Sequence, residues 1–100
     1  MPKVLNKWID KIPPDAILVD RTTKYGNPMT LKELKRLFPN DIPLELHQKA
    51  VSWYEGYLLA YLKIYPEFLL EIKKLRGHDL VCWDTPLPCH ADILLRLANQ

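Results

Sequence analysis

Apolar residues crowd three short stretches of the chain and recur at helical spacing in four others. Residues 3–8 and Ala16-Ile-Leu-Val-Asp20 read as two short strands, the second with the branched bulk of a buried strand. Between them, Ile12-Pro13-Pro14-Asp15 is turn chemistry. Thr30-Leu-Lys-Glu33 is a capping box, a hydroxyl followed three residues later by a carboxylate. It predicts a short helix with Leu31, Leu34, Leu37 and Phe38 inward, ending before Pro39.

From about Leu44 to Ile64, Leu46, Ala50, Trp53, Tyr54, Tyr57, Leu58, Tyr61 and Leu62 repeat with a helical period, giving the longest element. Pro66 suits the first turn of a further helix carrying Phe68, Leu69, Ile72 and Leu75, with Gly77 as its stop. Asp79-Leu-Val-Cys-Trp83 reads as a third strand and Thr85 to Pro88 as a stiff loop. His90, Ile93, Leu94 and Leu97 mark one face of a terminal helix. The expected fold is α/β, a small sheet of about three strands packed with about four helices in one layered domain over residues 1–100. Strand order stays open.

Composition narrows the function classes. With 48% hydrophobic and 26% charged residues, the chain falls in the ordinary globular range. A chain this short buries roughly 60–70% of its unfolded surface, which favours a shallow cleft, or one completed by a second copy or a partner. No stretch reaches the roughly 18 apolar residues of a membrane span, and the polar start Met1-Pro-Lys-Val-Leu-Asn6 has no signal-peptide architecture. Two cysteines are too few for a disulfide scaffold, so a cytoplasmic protein is expected; the spacing still permits a Cys82–Cys89 disulfide. The net charge of +2 is no nucleic-acid footprint, although residues 1–36 carry eight Lys/Arg against four Asp/Glu. That basic first third leaves nucleic-acid contact as a weak alternative to solvated surface lysines.

Candidate chemistry collects at Cys82-Trp-Asp84-Thr-Pro-Leu-Pro-Cys89-His90. Alternation along a strand would send Cys82 and Asp84 to one face and Trp83 to the other. Cys89 and His90 then fall at a helix N-terminus, where free N–H groups favour anions and thiolates. Three readings stand beside one another. In the first, Cys82 is a small core residue, with Asp84 bonding loop N–H groups and Cys89 or His90 capping the helix. In the second, Cys82, Asp84, Cys89 and His90 form a tetrahedral Zn²⁺ set, though the spacing is not a standard zinc spacing. In the third, Asp84, Cys89 and His90 serve catalysis, Cys89 as a thiolate beside His90.

The loop Arg21-Thr-Thr-Lys24-Tyr25-Gly26-Asn27-Pro28 supplies recognition groups. Arg21 offers a two-point grip on phosphate or carboxylate, Lys24 adds charge, Tyr25 offers a stacking ring and Asn27 an edge-reading amide. The competing reading makes Tyr-Gly-Asn-Pro a plain turn and pairs Arg21 with Asp84 or a helix carboxylate. His47 reads as a solvated surface histidine, and Asp92 as a helix-dipole partner.

Arg21-x-x-Lys-Tyr-Gly-Asn-Pro-Met29, Ala50-Val51-x-x-Tyr54-x-x-x-Leu58 and the block from Leu75 to Leu94 resemble the phage and bacterial family called domain of unknown function 4326. The similarity spans roughly residues 15–99. The family usually shows Trp where this chain has Tyr25, and a second Cys where it has Asp84, which weakens a cysteine-rich metal site. The resemblance implies a phage or bacterial cytoplasmic protein and supplies no reaction. The combined expectation is a ligand-binding domain for a nucleotide or another phosphate-bearing compound, with catalysis and cofactor open and a homodimer allowed. The alternative is a non-catalytic phage protein that binds a host protein or DNA.

Overall fold

A computed structural model describes residues 2–100 of the chain; Met1, the first residue of the polar start, lies outside them. The elements run β1 (Val4–Asn6), β2 (Ile17–Leu18), α1 (Leu31–Leu37), α2 (Pro43–Ile64), α3 (Phe68–Lys73), β3 (Leu80–Cys82) and α4 (His90–Ala98). The α/β expectation of three strands and four helices holds. The strands are shorter than their apolar runs, because pairing stops after three residues against β1 and two against β2. Lys7 N still donates to Cys82 O at 2.9 Å, but the chain then turns, with Asp10 N donating back to Asn6 O, so Trp8 leaves the sheet.

The sheet order is β1-β3-β2 and every pairing is parallel. β3 is therefore central, which is why Leu80, Val81 and Cys82 are all buried. Because the strands run the same way, Asn6, the Val19–Asp20 step and Cys82 leave the sheet at one edge. Ligand sites of open α/β sheets lie at that carboxyl edge.

α4 rests on β3 and β1, while α2 and α3 pack on α4. Tyr54, Leu58, Ile72, Leu75, Leu80 and Leu94 fill the centre. Burying each such side chain stabilises by about 1.5–3 kcal/mol before the entropy of ordering is subtracted.

Two helices differ from expectation in which face is inward. On α2, Trp53 and Tyr57 lie outside and stack on each other with ring centroids 5.3 Å apart. On α1 only Leu34 is buried, and Leu37 and Phe38 face outward. The helix after Pro66 stops at Lys73, and Gly77 ends the following turn at φ +81°. The capping box at Thr30 forms as expected, Glu33 N donating to Thr30 Oγ1 at 3.0 Å. No helix among the described residues is long and apolar enough to cross a membrane.

Candidate functional site at the carboxyl edge of the sheet

The loop after β2 is built to hold one shape. Asp20 accepts from Thr22 N at 2.9 Å and from the Thr22 hydroxyl, an Asx turn that reverses the chain just past the strand. A Cβ at Gly26 would lie 2.5 Å from Arg21 Cα and 2.8 Å from Asp20 O, so only glycine lets the loop fold back on its own start. Asn27 then spans to α2, Nδ2 donating to Ala50 O at 3.0 Å while Oδ1 accepts from Met29 N at 3.0 Å.

The loop after β3 is fixed from two sides. The buried Asn6 donates through Nδ2 to Trp83 O at 3.2 Å and to Thr85 O at 2.7 Å, and Oδ1 accepts from Trp8 N at 2.8 Å. The Trp83 indole N–H donates to Asp20 Oδ2 at 3.1 Å, which ties the two loops directly together. The Thr22 hydroxyl is the largest influence holding the Asp20 carboxyl below the usual range; the Thr22 and Trp83 N–H groups and Lys7 add to it, and burial opposes it.

Between the loops lies a cavity of about 340 Å³. Asp20, Arg21, Thr22 and Asn27 form one wall, and Cys82, Trp83, Asp84, Pro88, Cys89 and His90 the opposite one. α2 closes the third side with His47, Ala50 and Val51, joined by Met29 and Leu31. The volume is at the small end of small-molecule pockets, about 300–1,000 Å³.

Of the residues singled out in the sequence, Arg21, Asn27, Asp84, Cys89 and His90 line this cavity. Lys24 and Tyr25 do not. Gly26 turns the chain so that both point toward α3: Lys24 Nζ pairs with Glu71 at 2.6 Å, and the buried Tyr25 hydroxyl donates to Glu71 O at 3.1 Å. Tyr25 is a core residue, and the exposed ring at the cavity belongs to Trp83. Trp83 is there because β3 ends at Cys82; strand alternation does not extend past it, so Cys82, Trp83 and Asp84 all reach the same hollow. Arg21 forms no ion pair among the described residues, with Asp84 or with any helix carboxylate.

The thiols also depart from expectation. Both cysteines are free and buried, and they face each other. The neighbouring Cys82 sulfur, reinforced by burial, raises the Cys89 thiol above its ordinary range. Cys82 lies below that range, chiefly through the Cys89 bond and further through N–H groups of Thr85 and Asp84. Of the two thiols, Cys82 is thus the one shifted toward the thiolate and Cys89 the one shifted away from it. Cys89 is instead the N-cap of α4, its N–H donating to the Asp92 carboxylate at 3.1 Å.

Burial lowers the His90 imidazole below its ordinary range, and Nε2 is within 2.5 Å of the Val19 carbonyl. The four-residue zinc set is not assembled. No group of three or more His, Cys, Asp or Glu residues is placed to hold a metal ion among the described residues.

Asp20 and His47 also lie on the cavity wall, where the sequence reading did not place them. Asp20 was visible as Asp-x-Thr at a strand end, the signature of an Asx turn. His47 is no surface residue: it is 8% exposed and its Nε2 lies 3.6 Å from Asp84 Oδ1. The spacing of 47, 51, 54 and 58 on one stripe of α2 was its signal.

Comparison with curated proteins and with solved structures returns no significant match. The family model described as Domain of unknown function (DUF4326) matches residues 4–100, a span that takes in all three strands, all four helices and both loops of the cavity. The chain is thus a member of the DUF4326 family.

Proposed function

We propose that this protein is a small ligand-binding α/β domain that recognises a nucleotide or another phosphate-bearing compound at the carboxyl edge of its sheet. The observation that carries the reading is Arg21, a cavity-lining guanidinium that forms no ion pair among the described residues. A guanidinium is matched to phosphate geometry, and its pairing with an anion strengthens in a partly enclosed site. Trp83 supplies a ring for a base or sugar, and Met29, Leu31, Ala50 and Val51 an apolar wall. Asp84, with Cys82 and Cys89 at the floor, gives the same cavity groups for proton transfer or nucleophilic attack, so catalysis fits within this reading. A cytoplasmic setting of phage or bacterial origin accompanies it.

The test is a thermal-shift panel of nucleoside mono-, di- and triphosphates and sugar phosphates. At least one compound raises the melting temperature of the wild type, and Arg21→Ala removes that rise. A panel without a single binder, or an Arg21→Ala protein that binds as well as the wild type, ends the proposal.

One feature favours a second reading, a non-catalytic protein that engages a host protein or DNA. Trp8 and Ile9 are 69% and 74% exposed between Lys7 and Lys11. If that reading holds, Trp8→Ala abolishes capture of the partner while Arg21→Ala leaves it intact.

A further inference from the structure

His47 and His90 reach the same cavity from different elements, and in each one ring nitrogen is fixed by a backbone carbonyl. A carbonyl oxygen can only accept, so the bonded nitrogen carries the proton and the other keeps the lone pair of the neutral ring. His90 Nε2 donates to Val19 O at 2.5 Å, which leaves Nδ1 facing the Cys89 sulfur at 3.6 Å. Its ring also packs edge-on against Tyr54, centroids 5.2 Å apart. Both nitrogens of His90 are therefore occupied by protein.

In His47 the order is reversed. Nδ1 donates to Pro43 O at 2.8 Å, so the free lone pair sits on Nε2, on the side of the cavity and 3.6 Å from Asp84 Oδ1. Two acceptors then face one another. That arrangement is favourable only with a proton on Nε2 or with a donor group from outside placed against the pair.

We infer that His47, and not His90, is the histidine that exchanges protons with a ligand in this cavity, with Asp84 holding its imidazolium form. The inference rests on the proposed reading of the cavity as a site for a phosphate-bearing compound. It adds that the compound carries a hydroxyl or amino proton within reach of Nε2 while Arg21 holds its anion. In the transfer, the O–H or N–H bond of the ligand breaks, an Nε2–H bond forms, and the Asp84 carboxylate balances the new positive charge. The proton leaves by the reverse step to the ligand or to water.

The charged and titratable groups facing His47 are Arg21 and Asp20 from the loop after β2, Cys82 and Asp84 at the end of β3, and Cys89 and His90 at the start of α4. Among them only Arg21 carries a fixed positive charge. A His47 imidazolium adds a second one beside it.

Two measurements on the whole protein test this. Long-range ¹H–¹⁵N spectra of the neutral rings should show a proton on Nδ1 of His47 and on Nε2 of His90, opposite tautomers in one protein. Sulfate serves as the anion, followed on the amides of Arg21 and Thr22, and its affinity should fall about tenfold or more in Arg21→Ala, which fixes the anion site beside His47. A neutral His47 protonated on Nε2 overturns the inference by itself, as does sulfate binding that Arg21→Ala leaves unchanged. Failure of sulfate to bind at all overturns the anion-site reading underneath, and the ligand role of His47 with it.

Discussion

Two hollows of the molecule differ in what they leave unsatisfied, and the one of greater accessible volume is the less promising. The groove between α2 and α3, of about 420 Å³, is lined by Tyr61, Tyr65 and Phe68, with Glu67, Glu71 and Lys74 at its rim. Glu71 there is satisfied twice over, by Lys24 at 2.6 Å and Lys74 at 3.1 Å, and these lysines hold its carboxyl below the usual range. The cavity at the sheet edge is smaller, at about 340 Å³, but among the described residues it keeps Arg21 without an ion pair and His47 Nε2 without a donor. Concavity alone does not mark a site. Polar groups left with unused bonding capacity do, because a ligand gains most where it completes bonds that the protein leaves open.

The comparison is broken most severely by damage to the cavity's scaffold. Gly26→Ala forces a Cβ to 2.5 Å from Arg21 Cα, and the loop after β2 must shift as a whole. A loss of about 3 kcal/mol in urea unfolding is expected, an overpacking cost with backbone movement. An unchanged midpoint would show that the loop has other conformations of equal energy.

Asn6→Ala comes next. It strips donors from Trp83 O and Thr85 O and an acceptor from Trp8 N in a buried place, so a loss of about 2 kcal/mol is expected. Ligand binding should weaken too, since this side chain sets the loop after β3. The near-isosteric Asn6→Asp should be no better tolerated, because the two carbonyls need a donor and a carboxylate only accepts.

A pH effect sharpens the contrast further. Burial keeps the folded-state pKa of His90 below the ordinary imidazole value, so the unfolded chain takes up a proton that the folded chain resists. This stabilisation is complete above about pH 6.5 and is lost as pH falls from there through the folded-state pKa. Melting temperatures measured from about pH 8 to about pH 5 should decline, and His90→Asn should flatten that decline. An equal slope in the variant would assign the effect to another group.

The smallest effect belongs to the larger hollow. Glu71→Gln removes its exposed ion pairs and should leave the urea midpoint almost unmoved, with no change in binding of any phosphate compound. If that substitution weakens binding as much as Arg21→Ala, the two hollows have been ranked in the wrong order.

How much of this was legible depended on whether local chemistry or tertiary geometry decided each feature. The helices announced themselves through period and capping, at Thr30–Glu33 and along Pro43–Ile64. The convergence of Arg21 and Asn27 with Asp84, Cys89 and His90 followed from a general rule, that loops after parallel strands meet at one edge. What failed was direction within an element. Tyr25 sits one residue before the turn at Gly26, and nothing local says that the turn sends its ring inward under α3. Trp53 and Tyr57 are as hydrophobic as Tyr54 and Leu58, so composition blurs which stripe of α2 is buried and makes His47 look solvent-facing. The nearness of the two thiols was hidden for a different reason. A helix N-terminus lowers a thiol's pKa only where no closer acceptor competes, and Cys82 was beyond the reach of a spacing argument.

The central claim is that both loops serve one ligand. Amide shift mapping of ¹⁵N-labelled protein against adenosine 5′-monophosphate tests it most directly. The account predicts simultaneous, saturable shifts at Arg21, Thr22 and Asn27 on one loop and at Trp83, Asp84 and His90 on the other, with a common dissociation constant and none of them in Arg21→Ala. Shifts confined to one loop, or centred on Tyr61, Tyr65 and Phe68 in the groove between α2 and α3, would contradict it.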